Sequence, residues 1–381
     1  MDKGITLIGT LPPIKGISDT CLNQVQYLTN YIDVNFIGFK SIYPDFLYPG
    51  GSSKEKDVRF HPEEKRNLKI RDFLTWYNPF SWIWAGYSAK GEIIHFHWWT
   101  SYLFPIFFTI ELLAKFRGKQ LICEVHNILG HESNWLDKSL NRLIFNLSDY
   151  IIVHSEKNKK QLEEFFGKKN NVSVIPLGVL DFFNDTLITK TESREKLGVN
   201  NEDKIILSFG NIRGYKGIDI LIKSFAKVKQ IIPKAKLFIV GKNWIEWQPF
   251  QQLIKNYNLE DSVITDLNFI PTSKVKYYFV ASDLIVLPYL KFEAQSGPGR
   301  IALAFGKAMV VTEVGGLPDL VRDRSVIVEP NNSGELAQAI IKVLQDNNYR
   351  EKLEADSKEL AQKYSWDKIS EKIAELYKNI L

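Results

Sequence analysis

Phe209-Gly210-Asn211-Ile212-Arg213-Gly214-Tyr215-Lys216-Gly217 follows the apolar run Ile205–Phe209. It opens the stretch Gly217–Ile232, where Ile218, Leu221, Ile222, Phe225 and Val228 recur at helical spacing. The pattern predicts a strand, a glycine-rich turn and a helix. Glycines let a backbone approach a ligand, and a helix N-terminus favours an anion. Arg213 offers a planar fork of donors to phosphate oxygens, and Lys216 a point charge. The segment therefore reads as a diphosphate site. It is not a Walker A loop, because Gly217 rather than Ser or Thr follows Lys216. A solvated basic loop with ordinary turn glycines is the plainer reading. It is disfavoured because strand, glycines, cations and helix coincide.

The same alternation runs outward in both directions. Upstream, strands are expected at Ile5–Ile8, Val34–Phe39, Ile93–His97, Gln120–Val125, Tyr150–His154 and Val172–Ile175, with helical patterns between them. Downstream they are expected at Lys236–Val240, Ser262–Thr265, Leu284–Leu287 and Ala308–Thr312, and three helices close the chain. Alternation of this kind implies parallel sheets with helical crossovers. The polar stretch Asp181–Asp203 breaks the rhythm and reads as a linker. The expected organisation is an α/β domain over 1–180, a linker over 181–203, a second α/β domain over 204–364 and a terminal helix over 365–381 packing back on the first. In open parallel sheets ligands bind at the carboxyl ends of the strands. Two such lobes facing each other would enclose one cleft.

Composition bounds the function classes. Hydrophobic residues make up 45% of the 381, too many for a disordered or collagen-like chain. The net charge of +5 is too weak to argue for a nucleic-acid partner. Cys21 and Cys123 are the only cysteines, too few for a disulfide framework and without metal-ligand spacing, which fits a reducing, cytoplasmic compartment. The first apolar run reads as a buried strand, not as the apolar part of a leader. Tyr102–Ala114 is interrupted and shorter than the ~20 residues of a spanning helix. Aromatics are in excess at 13%, and five of nine tryptophans fall at Trp76, Trp82, Trp84, Trp98 and Trp99.

Several strand ends carry polar residues. After Leu287-Pro288-Tyr289 come Glu293, Gln295, Ser296 and Gly297. The backbone of Ser296 and Gly297 could face an anion or a sugar hydroxyl, or Ser296 could simply cap a helix. Val314-Gly315-Gly316 after Met309–Thr312 is a tight turn with or without a ligand. In the first domain His126 and Asn127 end one strand. His126 could donate to a sugar hydroxyl or be a satisfied structural residue. His95 and His97 share one face of another strand, yet no Asp, Glu or Cys follows at ligand spacing, so no metal is expected. Gly16 follows the first strand and could approach a ligand or precede a helix.

FGNIRGYKGIDILI at Phe209–Ile222, with LFIVG, SDLIVLPY, QSG and VGGLPDLV, resembles the retaining glycosyltransferases of family 4. In the first half the resemblance rests on HFHWW, EVHN, HSE and IPLGV. It implies the GT-B fold and transfer of a hexose from a UDP- or GDP-sugar with retained configuration. Arg213 and Lys216 match the family's donor-diphosphate pair, and Glu293 the first glutamate of its E-x7-E motif, which contacts the donor hexose. Gly210, Asn211, Gln295, Ser296 and Gly297 would line the donor, with Gly16 near its phosphate. His126 matches the histidine facing the transferred sugar. The second glutamate falls on Ile301, which cannot hold a ribose hydroxyl, a loss shared by a QSG-type subset.

Charge building on a departing diphosphate would be stabilised by Arg213, Lys216 and helix-end N–H groups, at about 3 kcal/mol per donor. No metal or other cofactor is expected, and the chain has no Asp-x-Asp. Front-face attack, with the leaving phosphate taking the acceptor proton, is the mechanism commonly proposed for the family. His97, Trp98, Trp99 and Asn127 are placed on the acceptor side. The loop-like Trp76-Tyr77-Asn78-Pro79-Phe80 should expose rings, which stack on sugars and sit at membrane interfaces. A glycan or lipid-linked acceptor is therefore expected, with contact to the inner membrane face. The competing readings are a GT-B epimerase or phosphorylase and a non-catalytic glycan-binding scaffold. A dehydrogenase is disfavoured, since Gly9 and Gly16 do not make G-x-G-x-x-G.

Overall fold

The computed structural model describes residues 4–14, 16–44, 54, 66–128, 135–184, 187–291 and 295–381. The chain divides into two compact units, one of residues 1–178 with 364–381, the other of residues 179–363.

The first unit is built on seven parallel strands: β1 (Ile5–Gly9), β2 (Val34–Ser41), β3 (Leu68–Thr75), β4 (Ile93–Trp98), β5 (Gln120–Val125), β6 (Tyr150–Val153) and β7 (Val172–Val174). Their order is β3-β2-β1-β4-β5-β6-β7. The central strands are buried on both faces, as their largely apolar runs suggest. β3 is not visible as an apolar run because Lys69, Arg71 and Asp72 interrupt it on the sheet edge. One face is packed by Phe96, Phe107, Trp98 and Phe145. The other is packed by Ile5, Leu7, Val25 and Phe36 together with Trp366, Ile369, Ile373 and Tyr377 of the terminal helix Trp366–Ile380. A Cβ on Gly178 would lie 2.4 Å from the Trp366 ring, so the terminal helix seats against bare backbone.

The second unit holds β8 (Lys204–Phe209), β9 (Ala235–Val240), β10 (Val263–Asp266), β11 (Leu284–Leu287), β12 (Met309–Thr312) and β13 (Ile327–Val328). Their order is β10-β9-β8-β11-β12-β13, parallel throughout. Both sheets reverse strand order beside their first strand, between β1 and β4 and between β8 and β11. Loops that leave such a switch point open a crevice at the carboxyl ends of the strands. The short β13 has only two residues and left no run to read.

The expected linker over 181–203 is instead part of the second unit. Thr189 caps the helix Lys190–Leu197 in a capping box with Glu192. From this helix Arg194, 2% exposed, donates to the Asp283 carboxylate at 2.9 Å and to the Ala281 carbonyl at 3.2 Å. Lys190 also binds Asp283, whose Oδ2 accepts the Ile205 amide at 2.7 Å. Polar composition suggested a linker, but the charges are paired partners of a buried carboxylate.

Candidate active site

The candidate residues fall into two groups, one in each unit. In the second unit, the loop after β8 leaves Gly210 at φ +104°, where a Cβ would lie 2.8 Å from Pro298 and 3.7 Å from the Lys216 Nζ. Only glycine suits both the left-handed backbone and that approach. Lys216 is 6% exposed. Its ammonium donates to the Tyr289 hydroxyl and lies 4.0 Å from that ring's centroid, a cation–π distance. Tyr289 OH is 3.0 Å from the Ser296 Oγ, which accepts the Gly299 amide as N-cap of the helix Gly297–Ala304. The loops after β8 and β11 are thereby tied together at a helix N-terminus.

Burial, with the Arg213 charge adding to it, pushes the Lys216 ammonium down to about 7. Among the described residues no carboxylate balances this charge, so an incoming anion would supply the counter-charge. Burial also raises the Tyr289 phenol above its ordinary range, so it stays a neutral donor. Arg213 is exposed and sits 5.2 Å from the centroid of Trp244, whose Nε1 donates to Asn211 Oδ1 at 3.2 Å. Tyr289 and Trp244 were not expected as site residues. Tyr289 directly after the strand in Leu287-Pro288-Tyr289 was a usable signal; Trp244 had none. Gln295 is half-buried and Gly297 begins the helix. Glu293 lies outside the described residues. Ile301 is 4% exposed within the helix Gly297–Ala304 and offers no acceptor for a hydroxyl.

In the first unit, adjacent strands bring His95, His97 and His154 around Glu124, which is 3% exposed. Glu124 Oε2 accepts from Gln24 at 2.9 Å and lies 3.0 Å from His95 Nε2. His95 Nδ1 is 2.5 Å from the Tyr377 hydroxyl. Glu124 Oε1 is 3.8 Å from His97 Nδ1 and 3.7 Å from His154 Nε2. Burial opposes ionisation of Glu124, but the surrounding histidines outweigh it and hold the carboxyl well below its ordinary range. Burial pushes His97 down to about 4, so its ring is neutral. His97 Nδ1 lies 2.9 Å from His126 Nε2, and the two rings stack. A carboxylate near Nδ1 favours the proton there, the tautomer in which His97 donates and His126 accepts. In that tautomer the His126 proton sits on Nδ1.

The ligand atoms of His97, Glu124 and His126 all lie within 4.8 Å of one another, a grouping able to hold a metal ion that spacing along one strand did not reveal. Two ligands on one tetrahedral zinc sit about 3.3 Å apart. The 2.9 Å His97–His126 distance is instead a hydrogen bond, and Glu124 is already engaged. His97 Nδ1 thus faces both the Glu124 carboxylate and His126 Nε2, and the short contact is the one to His126.

Trp98, expected on the acceptor side, is 1% exposed and its Nε1 donates to Asn141, so it is a core residue. His97 is fully buried and reaches His126 rather than solvent. Trp99 is half-buried, with its edge toward Phe39 and Phe107. Asn127, also half-buried, donates to the Trp99 carbonyl at 3.2 Å. Gly16 sits at φ +111° with open space where a Cβ would be.

Residues 189–360 match the family described as Glycosyl transferases group 1, and residues 41–180 the one described as Glycosyltransferase Family 4. The chain is a GT-B glycosyltransferase of the family 4 type. The glycosyltransferase is 25% identical to the lipopolysaccharide 1,2-N-acetylglucosaminetransferase of Salmonella typhimurium, over 94% of this chain and 88% of that protein. It is 27% identical to the uncharacterized glycosyltransferase MJ1607 of Methanocaldococcus jannaschii, over 60% of this chain and 59% of that protein. Among solved structures, Anabaena Alr3699/HepE in complex with UDP superposes with a TM-score of 0.73 at 18% identity, over 98% of this chain and 100% of that one. At that identity the likeness is one of fold. Among the described residues no helix is long and apolar enough to cross a membrane.

Proposed function

We propose that this glycosyltransferase moves a hexose from a UDP-sugar to a glycan or lipid-linked acceptor, with retention of configuration and without a metal ion, in polysaccharide or glycolipid synthesis. The observation that carries the reading is the convergence of the Lys216 ammonium, Tyr289 and Ser296 on Gly210 at the start of the helix Gly297–Ala304. A buried lysine pushed down to about 7 gains most from a dianionic ligand, which restores its charge. Arg213, exposed beside it, brings a second cation.

As the C1–O bond breaks, the electron pair passes to the leaving diphosphate, where these donors meet the growing charge. The acceptor hydroxyl attacks C1 from the face the diphosphate leaves, and its proton goes to the departing phosphate oxygen. His126 would donate its Nδ1–H to the transferred sugar, and Glu293 would accept from it. UDP is favoured over GDP because HepE, of the same fold, has been solved with UDP and with UDP-glucose. Two buried free thiols, Cys21 and Cys123, suit a cytoplasmic enzyme, working here at the inner face of the membrane.

The test is calorimetry with UDP and GDP followed by a screen of their sugars, with and without chelator. The expected result is UDP binding, and release of UDP that accelerates when acceptor is supplied. Binding of neither nucleotide would mark a scaffold instead. Nucleotide release indifferent to any acceptor would favour an epimerase.

A further inference from the structure

The helix Pro79–Ser88 presents an apolar face to solvent. Phe80, Ile83, Trp84 and Tyr87 are 80%, 47%, 55% and 65% exposed, and their spacing puts them on one side. Tyr77, 63% exposed, and Trp76, 39%, extend that face through the preceding turn. The opposite side carries Ser81, Ala85 and Gly86, all buried. A Cβ on Gly86 would meet Leu113 at 2.9 Å and the Ile110 backbone at 3.3 Å, so the helix lies tight against Phe104–Phe116. The helix is thus fixed by its small residues while its large ones are left outside. Six partly exposed side chains of this size present on the order of 500 Å² of apolar surface, at the upper end of what a monomer shows.

Charge says what covers this face. Residues 66–119 hold seven Lys and Arg against three Asp and Glu. One of those acids, Glu111, is fully buried, and burial keeps its carboxyl well above the usual range, toward the neutral form. Arg117 donates to the carbonyls of Gly86 and Ala89 at 3.0 Å and lies 5.6 Å from the Tyr87 ring centroid. Arg71 reaches the Ser88 hydroxyl and carbonyl at 3.4 and 3.3 Å. Lys69 and Lys90 are exposed. Both arginines cap the last turn of the helix and keep further N–H donors unspent. Rings with polar tips, rimmed by cations, match the acyl–headgroup boundary of a bilayer with anionic lipid. A second copy of this chain is a poorer fit, since a two-fold contact here would bring like charges toward each other.

We propose that the face formed by Trp76, Tyr77, Phe80, Ile83, Trp84 and Tyr87 docks on an anionic lipid bilayer, with Lys69, Arg71, Lys90 and Arg117 at the headgroups. This deepens the lipid-linked acceptor reading by naming the surface that meets the membrane. Vesicle binding and sugar-nucleotide binding nevertheless fail separately.

The test is sedimentation of the full chain with phosphatidylcholine vesicles, with and without phosphatidylglycerol, at low and high salt. Binding is expected only with the anionic lipid and should weaken with salt. The double variant Phe80→Ser/Trp84→Ser should lose about tenfold in binding while its melting temperature and UDP binding hold, because both side chains are exposed. Lys69→Glu/Lys90→Glu should lose about tenfold through charge alone. No binding to anionic vesicles, or binding indifferent to both double variants, overturns the proposal. So does a concentration-dependent dimer that Phe80→Ser/Trp84→Ser abolishes, which would make a second copy the occupant. Vesicle binding without any UDP binding would sink the donor reading and leave the docking face standing.

Discussion

The Nδ1 of His97, a residue wholly inside the first unit, lies 2.9 Å from the Nε2 of His126 at the end of β5. Glu124 Oε1 lies 3.8 Å from the same Nδ1, and a carboxylate there favours the tautomer in which His97 donates to His126. Nitrogen-resolved NMR of the histidine rings should show His126 protonated at Nδ1. Glu124→Gln keeps the volume and removes the anion. It should lower turnover about tenfold or more with UDP affinity little changed. A His126 found protonated at Nε2 in the wild type would refute this direction of the hydrogen bond.

Arg213→Ala and Lys216→Ala should each cut turnover at least about tenfold while the fold persists, since preorganised donors to a leaving oxyanion are worth about 3 kcal/mol. Steady-state kinetics with circular dichroism decides it. Near-normal turnover in both variants would remove the diphosphate assignment.

UDP affinity should depend on pH through Lys216. In the free protein its ammonium titrates at about 7, and only the charged form attracts diphosphate. Affinity should be nearly flat below that value. Above it, affinity should fall by up to about tenfold per pH unit, with proton uptake on binding. Calorimetry in buffers of different ionisation enthalpy measures the uptake. Tyr289→Phe, which removes the hydroxyl that Lys216 and Ser296 share, should weaken UDP binding by about 1 kcal/mol.

Gly210→Ala should cost about 1–3 kcal/mol of stability, because alanine must hold φ +104° with Pro298 at 2.8 Å. It should also lower UDP affinity, since relief requires the loop after β8 to move. An unchanged melting temperature would show that the loop relaxes freely.

Asp283→Ala should destabilise the second unit by about 3–5 kcal/mol, because it strands Arg194 and leaves the Ile205 amide unpaired. The wild-type contribution has a definite sign. Burial opposes the ionised form, but Lys190, Arg194 and the Ile205 amide hold the carboxyl below its ordinary range. The stabilisation is therefore present at neutral pH and lost as pH falls into the acid range. Thermal denaturation of the variant and the parent across pH measures both effects.

Particular elements show why some of this was legible in the sequence. The strands β4, β5, β8, β9 and β11 are buried along most of their length, so apolar residues dominate them, and the runs could be read despite His95, His97 and Glu124 inside two of them. β3 sits on the sheet edge with mixed residues and could not. Arg213 and Lys216 were readable because glycines and cations share one short turn between a strand and a helix. The stretch 181–203 misled because polarity along a chain does not say whether charges face water or a buried partner. Arg194 faces Asp283, 89 residues further on.

Local order along the chain was enough to determine two α/β units, the turn after β8 and the resemblance to family 4 transferases, because periodicity and turn chemistry act over a few neighbouring residues. Tertiary structure alone decided which side chains meet. Strand pairing set His97 beside Glu124, and the β5 strand end carried His126 to within 2.9 Å of His97. The loop after β11 carried Tyr289 to Lys216, and Trp98 turned into the core while Trp84 stayed in solvent. Each of those outcomes depends on contacts between residues distant in sequence, which no local pattern records.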